Sequence, residues 1–380
     1  MIHKTSTKLN FECLFTKIKI LSALNYCQGM KYQVKKNVKL TEFSTGGGCG
    51  CKVSPEVLKK LLNSERIKLL PKDLIVGLTN SDDAAVYKID KERAIVATTD
   101  FFMPIVNNPS EFGEISATNA LSDLYAMGAK PLFALAIVAM PIKKISLNII
   151  KKIISGGEKI CKNAGIPIAG GHTIESSEPI YGLVAIGIIK IREIKTNSKA
   201  EHEDDLILTK PIGTGILSTA IKKDIASKKQ YNELIKSCTK LNDIGIYLSQ
   251  KNLVSSMTDV TGFGLLGHLK EICLASKKKA IIQYKKIPIF EGTEKLVDNK
   301  IFTGASSRNW NSYKKYISKN SKVEQIKKII LSDPQTSGGL LLSCKKQNSK
   351  KILKILKSRR FKSSTIIGSI KNGKTKICIK

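Results

Sequence analysis

Thr258-Asp259-Val260-Thr261-Gly262-Phe263-Gly264-Leu265-Leu266-Gly267-His268 follows an apolar run over 253–257 and reads as a strand, an acid and a glycine turn that opens a helix. A junction of that kind leaves free backbone N–H groups beside a carboxylate, a place suited to phosphate or metal. Asp333-Pro334-Gln335-Thr336-Ser337-Gly338-Gly339-Leu340 repeats the theme late in the chain. Around these stretches, apolar runs of strand length at 94–99, 132–140, 181–191 and 205–209 alternate with segments of helical spacing at 112–127, 147–164 and 231–251. The closing segments 346–359, 364–369 and 374–379 read as helix, strand and strand. The expected class is α/β with an α+β character, strands and helices alternating throughout, in two domains that meet where hydrophobic periodicity lapses near 192–204.

Four acidic sites recur beside Gly, Asn or Thr, near the expected ends of apolar elements: Asp82-Asp83, Asp100, Asp123 and Asp259. Taken singly, each is as well explained as a turn or N-cap residue. Together they suit triphosphate chemistry, because Mg²⁺ is a hard cation that takes carboxylate oxygen while offsetting phosphate charge. The phosphate-cradling GxxxxGK[ST] and the kinase HRD/DFG pair are missing, which argues against those two nucleotide-binding classes.

Upstream lies Ser44-Thr45-Gly46-Gly47-Gly48-Cys49-Gly50-Cys51-Lys52. Its glycines tolerate positive φ, so the stretch reads as a mobile arm carrying a thiol. Lys52, three residues after Cys49, is expected to favour the thiolate, the form that attacks electrophiles or handles soft chalcogens. A half metal site or a plain linker would share the same residues. Between arm and first strand, Val57, Leu58, Leu61 and Leu62 have helical spacing behind Ser54-Pro55.

The 380 residues are 42% hydrophobic, enough for sizeable cores. Against 31 Asp and Glu stand 64 Lys and Arg, a net charge of +33. The excess is mostly Lys and is spread along the chain, which speaks for compositional drift rather than a nucleic-acid stripe, and gives a positive potential that draws in anionic substrates. Nine cysteines at irregular positions form no zinc or disulfide framework. A reducing, cytoplasmic setting is expected. Residues 1–40 are basic, hold Glu12 as their one acid, and read as a disordered extension, with organelle import the minority reading. No apolar run reaches a membrane-spanning length, and 132–140 reads as a buried strand.

With these motifs in hand, the chain resembles the class I selenophosphate synthetases, or selenide, water dikinases. GCGCK at 48–52, DDAAVY at 82–87, TTDFFMPIV at 98–106, ATNALSD at 117–123, AGGH at 169–172, TDVTGFGLLGHL at 258–269 and DPQTSGGLL at 333–341 carry the resemblance in the family's order. It implies the two-domain fold of the aminoimidazole-ribotide synthetase superfamily, with a mixed-sheet N-terminal domain at 80–192 that dimerises and an α/β domain at 200–380. The arm and its helix fill 41–79. It implies that ATP, selenide and water give selenophosphate, AMP and phosphate, supplying activated selenium for selenocysteine, selenouridine or both.

Residue by residue, Cys49 and Lys52 match catalytic positions, while Asp83, Asp100, Asp123 and Asp259 match the metal-holding carboxylates. Lys52, Asn80, Ser81, Asp82, Asp100 and Asp123 match ATP contacts, as do Gly171, His172 and Thr173 from a partner subunit. Mg²⁺ is the implied cofactor, with K⁺ as a further cation, and a homodimer and a selenium-delivery protein as partners; no specific nucleic acid and no membrane are expected. Thr45, Ser81 and the segment Gly304-Ala305-Ser306-Ser307 depart from the residues usual in the family, which bears on nucleotide affinity. Two rivals are another ATP enzyme of the same fold, which would lack the GCGCK arm, and an anion binder using the +33 charge.

Overall fold

The computed structural model describes residues 38–43, 46–53, 57, 71–77, 80–319, 321 and 323–380. Nearly all of the helix expected around Val57, Leu58, Leu61 and Leu62, and nearly all of the 1–40 extension, lie outside the described residues.

Two six-stranded sheets organise the chain. The first domain runs β1 (Leu74–Val76), β2 (Ala85–Lys88), β3 (Arg93–Phe102), α1 (Pro109–Ala126), β4 (Lys130–Met140), α2 (Leu147–Asn163), β5 (Ile168–Glu175) and β6 (Ile180–Lys190). Its strand order is β1-β2-β3-β6-β4-β5, antiparallel except for the β4–β5 pair. The second domain runs β7 (Asp205–Leu208), α3 (Thr214–Lys222), α4 (Lys228–Cys238), α5 (Ile244–Gln250), β8 (Ser256–Asp259), α6 (Gly264–Ala275) and β9 (Lys279–Ile282). It closes with α7 (Thr293–Asp298), α8 (Gly304–Tyr313), α9 (Gln325–Leu331), β10 (Leu340–Cys344), α10 (Lys346–Ser358), β11 (Thr365–Lys371) and β12 (Ile377–Ile379), in sheet order β12-β9-β11-β7-β10-β8.

The two sheets bury differently, and sequence shows why. β7 and β10 are near-continuous apolar runs, Leu206-Ile207-Leu208 and Leu340-Leu341-Leu342, and both faces are covered. Leu206, Leu208 and Leu341 join the core under α6, whereas Ile207, Leu340 and Leu342 join the core under α10. β3 alternates: Ala94, Val96, Asp100 and Phe102 face the helices and are buried, while Phe101 on the other face is 50% exposed. β4 follows suit, so residues 132–140 are a half-buried strand rather than the buried one expected; Leu132 is 39% exposed.

Asn108 caps α1 by accepting from the Ser110 and Glu111 amides, with Pro109 in the first turn. α1 then packs face to face on α2 at glycines: a Cβ on Gly113 would lie 1.9 Å from the Ile153 carbonyl oxygen, and one on Gly156 2.1 Å from that of Ser110. Its remaining sides meet β3 and β6 of its own sheet and α4, α5 and β8 of the second domain, so it is buried nearly all round. This helix carries Asn119, Ser122 and Asp123 into the seam between domains.

Two expectations are corrected here. Strands and helices do not alternate throughout: β2 leads straight into its antiparallel partner β3, and β5 leads into β6, across β4 in the sheet, with no helix between them. The single helix expected over 231–251 is two, α4 and α5, separated at 239–243. The Thr239 side chain bonds back to the Ile235 carbonyl, and Asn242 turns inward to hydrogen-bond across the seam. A tertiary contact overrides helical periodicity there.

Candidate functional site

Asp83 precedes β2, Asp100 lies inside β3, Asp123 sits on α1 and Asp259 ends β8. Strand ends therefore account for two of the four carboxylates; Asp100 and Asp123 are inside elements, placed by the pleat of β3 and by the helix face turned to the seam.

Asp83, Asp123 and Asp259 converge, with ligand atoms all within 4.8 Å of one another. Thr258 donates its hydroxyl to Asp83 Oδ1 at 2.7 Å, and Thr98 donates to Asp123 Oδ2 at 2.5 Å. Asp259 is 1% exposed, and its Oδ2 is buried with no hydrogen-bond partner. Burial first, and then neighbouring carboxylates, raise Asp83 and Asp123 well above the ordinary carboxyl range. Burial raises Asp259 too, with a hydrogen bond from Ser122 pulling back. Three crowded carboxyl groups and an orphaned oxygen make an all-oxygen donor set fit for a hard divalent cation.

Asp100 sits beside this trio without joining the convergent set. It accepts from Asn119 Nδ2 at 2.6 Å and from Lys52 Nζ at 3.1 Å. Burial opposes the Lys52 charge, but Asp100, Cys49 and Asp123 outweigh it and hold its pKa well above the usual value. Lys52 therefore stays a fixed positive charge at the mouth of the site.

The arm is folded down. Gly48–Cys51 form one 3₁₀ turn, the Gly48 amide donates to the Met103 carbonyl at 2.9 Å, and the Cys49 amide donates to Thr336 Oγ1 at 3.1 Å. Cys49 is 1% exposed, and its thiol donates to Asn119 Oδ1 at 3.3 Å. This corrects the thiolate expectation for the closed arm. Burial, then the Asp100 charge, push the Cys49 thiol well above its ordinary pKa, and the pull from Lys52 does not overcome them. Cys51 is exposed on the outer side of the arm.

Closure depends on close backbone approach, most sharply at Gly48. Gly48 has φ +57°, and a Cβ there would lie 2.2 Å from Thr336 Oγ1. Gly48→Ala adds that clash to a left-handed cost of about 1–2 kcal/mol, so the arm opens. The expected result is faster alkylation of Cys49 by iodoacetamide, about tenfold for each 1.4 kcal/mol lost. An unchanged rate, read by peptide mass mapping, would mean that the arm does not shield the thiol.

Asn80, Ser81 and Asp82 form the loop before Asp83. Asp82 Oδ1 accepts the Asn197 amide at 2.7 Å, the Asn197 side chain donates to the Ser81 carbonyl at 2.8 Å, and Ser81 is in the left-handed region at φ 53°. Asn80 and Asp82 line a cavity of about 330 Å³ with Ile75, Ile191, Thr196 and Lys199. Gly171, His172 and Thr173 are not brought to this cluster. They lie on β5, the edge strand, with Asp100, Leu183, Ala136 and Gly171 as successive partners in one row. That is three strand spacings, roughly 14 Å.

Several residues around the site carried no signal of their own in the sequence. Thr98, Ser122, Thr258 and Asn242 are ordinary polar residues whose partners come from another element of the same domain or from the other domain. The stretch 333–340 does not repeat the theme of a strand, an acid and a turn that opens a helix: it follows α9 and leads into β10, and within it Ser337, at φ 51°, donates its amide to Asn119 Oδ1 at 2.6 Å. His268 is an interior group, with Nδ1 3.2 Å from a Glu271 oxygen and Nε2 3.3 Å from the Thr261 hydroxyl.

Residues 81–189 match the N-terminal domain, and residues 201–379 the C-terminal domain, of the AIR synthase related proteins. Over 342 residues the chain is 49% identical to the selenide, water dikinase of Pseudomonas straminea, covering 90% of this chain and 96% of that one. This chain belongs to the selenide, water dikinase family. A second member of that family, from Dechloromonas aromatica (strain RCB), is 48% identical over 339 residues, covering 89% of this chain and 97% of its own. The fold reaches wider than the family. The crystal structure of thiamine-monophosphate kinase from Stenotrophomonas maltophilia K279a superposes with a TM-score of 0.59 at 18% identity, covering 82% of this chain and 93% of that one. The selenide, water dikinase family thus shares the two-domain AIR synthase related fold, and the α/β class with mixed sheets expected from the sequence is the one observed.

Proposed function

We propose that the chain makes selenophosphate from ATP, selenide and water, releasing AMP and phosphate, with Cys49 and Lys52 as catalytic residues. The observation that carries this reading is the convergence of Asp83, Asp123 and Asp259 beneath an arm whose thiol and lysine both reach the same buried network. In that reading the three aspartates hold Mg²⁺, with Asp100 completing the acidic set and K⁺ as a supporting cation. Mg²⁺ bound there would neutralise phosphate charge and fix the triphosphate for in-line attack.

The chain's own residues do the rest. Lys52 supplies a permanent positive charge anchored by Asp100, so a phosphate group meets it already oriented. Asn119 holds the Cys49 thiol with its oxygen and Asp100 with its nitrogen, which sets the reacting sulfur relative to the acidic cluster. The folded arm excludes water from a phosphoryl intermediate that water would otherwise consume. Asn80, Ser81 and Asp82 are assigned to the nucleotide.

Gly171, His172 and Thr173, roughly 14 Å from Asp100 within one protomer, are assigned to the nucleotide held by a second copy. The outward face of the first sheet supports pairing: Tyr87, Phe101 and Ile174 are 45%, 50% and 55% exposed on a protein whose second sheet is covered on both faces. A selenium-delivery protein remains an expected further partner. Among the described residues, no helix is long and apolar enough to cross a membrane.

The deciding experiment is anaerobic incubation with ATP, Mg²⁺, K⁺ and selenide, followed by phosphorus NMR. Selenophosphate, AMP and phosphate in equal amounts are expected, from a preparation that light scattering sizes as a dimer. ADP as the sole nucleotide product would instead favour another kinase of this fold, and steeply salt-dependent RNA binding without turnover would favour the anion binder. A monomer retaining full activity would remove the two-copy site.

A further inference from the structure

The loop that carries Asn80, Ser81 and Asp82 lies in no strand or helix, and the bonds that tie it down come from outside its own sheet. Asn197, in the segment that joins the two domains, opens a short 3₁₀ turn over Asn197–Lys199, so its amide has no partner within the turn. That amide donates to Asp82 Oδ1 at 2.7 Å, and the Asn197 Nδ2 donates to the Ser81 carbonyl at 2.8 Å. A carbonyl can only accept, so the side-chain nitrogen, not the oxygen, faces Ser81. Thr258 of β8 holds the next residue by donating to Asp83 Oδ1.

The two bonds from Asn197 meet consecutive residues and fix the peptide unit between them. Ser81 is at φ 53°, a left-handed conformation disfavoured for a residue with a side chain, and backbone of this kind persists only where its surroundings over-determine it. One Asp82 oxygen is committed to Asn197, which sets how the carboxylate is turned. Thr196 and Ser198, the neighbours of Asn197 on either side, line the same cavity of about 330 Å³ as Asn80 and Asp82. Asn197 itself is 1% exposed and is not part of that wall.

We propose that Asn197 is a positioning residue for the nucleotide: without touching it, Asn197 holds the Ser81 carbonyl and the Asp82 carboxylate, and so sets how the loop 80–82 meets ATP. This rests on the assignment of that loop to the nucleotide. A residue that merely joined the domains would change stability and leave nucleotide affinity in the folded protein alone.

The test uses the full chain: calorimetric titration with the non-hydrolysable ATP analogue AMPPNP and Mg²⁺, steady-state KM and kcat for ATP, and thermal unfolding. Asn197→Ala is expected to raise the Kd for the analogue and the KM for ATP about fivefold, the worth of one hydrogen bond, with kcat at saturating ATP within about twofold of wild type. Asn197→Asp keeps the size and the backbone bond but turns an oxygen toward the Ser81 carbonyl, so it should bind more weakly than the alanine variant. Should Asn197→Ala not fold, Asn197→Ser carries the same measurement, since its hydroxyl is one atom too short to replace Nδ2. Wild-type Kd and KM in these variants, or a fall in kcat at unchanged KM, overturns the inference while leaving the proposed function standing. Wild-type protein that binds no AMPPNP and turns over no ATP overturns both.

Discussion

Cys49→Ser is expected to abolish selenophosphate formation without unfolding the protein or loosening its hold on nucleotide. Serine can donate the same hydrogen bond to Asn119 Oδ1 that the thiol donates at 3.3 Å, and the backbone bond from residue 49 to Thr336 is untouched. What is lost is a soft, polarisable nucleophile, which an alcohol does not replace at neutral pH. The closed arm holds this sulfur as a neutral thiol: burial and the Asp100, Asp259 and Asp123 charges keep its proton in place against Lys52. The check is product analysis by phosphorus NMR together with nucleotide binding by calorimetry. Selenophosphate produced at the wild-type rate by the serine variant would end any chemical role for the sulfur.

Asp123→Asn should separate activity from stability in opposite directions. A bound cation contributes several kcal/mol at a transferring phosphoryl group, and at tenfold per 1.36 kcal/mol the loss of a ligand costs about 10³-fold in turnover. In metal-free protein the same change relieves repulsion. Burial, then Asp259 and Asp100, raise the Asp123 pKa well above its ordinary value, so ionising it costs stability in the fold.

For a carboxyl raised in the folded state the sign is fixed. Its contribution is intact below the unfolded pKa and is lost as pH rises through the folded one. Asp83 and Asp259 shift the same way, so the EDTA-treated wild type should lose stability as pH climbs above the ordinary carboxyl range, and Asp123→Asn should flatten that slope. Because Asp123 keeps some contact with solvent, the gain near neutral pH is on the order of 1 kcal/mol, or about 2–4 °C in melting temperature. Thermal unfolding across pH in EDTA measures it. A variant that melts lower than wild type throughout would show that Asp123 is a structural anchor rather than a strained ligand.

Much of the architecture was legible locally. Runs such as 94–99 and 205–209 announce strands because each is a short apolar stretch bounded by turn chemistry, and 258–268 announces a strand, a turn and a helix for the same reason. The break in 231–251 was not legible, since its periodicity is sound and only the inward turn of Asn242 interrupts it. The acidic residues were visible as types; that Asp83, Asp123 and Asp259 share one volume while Asp100 stands beside them was not.

The amino-acid sequence by itself determined most of the individual strands and helices, the glycine arm with its thiol, and the kind of chemistry the acids could support. Those properties depend on backbone freedom, side-chain type and near neighbours, all written within a few residues. Tertiary structure decided the rest: the Cys49 amide meets a threonine hydroxyl 287 residues away, and burial overrides a nearby lysine to keep the thiol protonated. Desolvation and long-range hydrogen bonding depend on what packs against a group, and that is settled only when both domains close on α1.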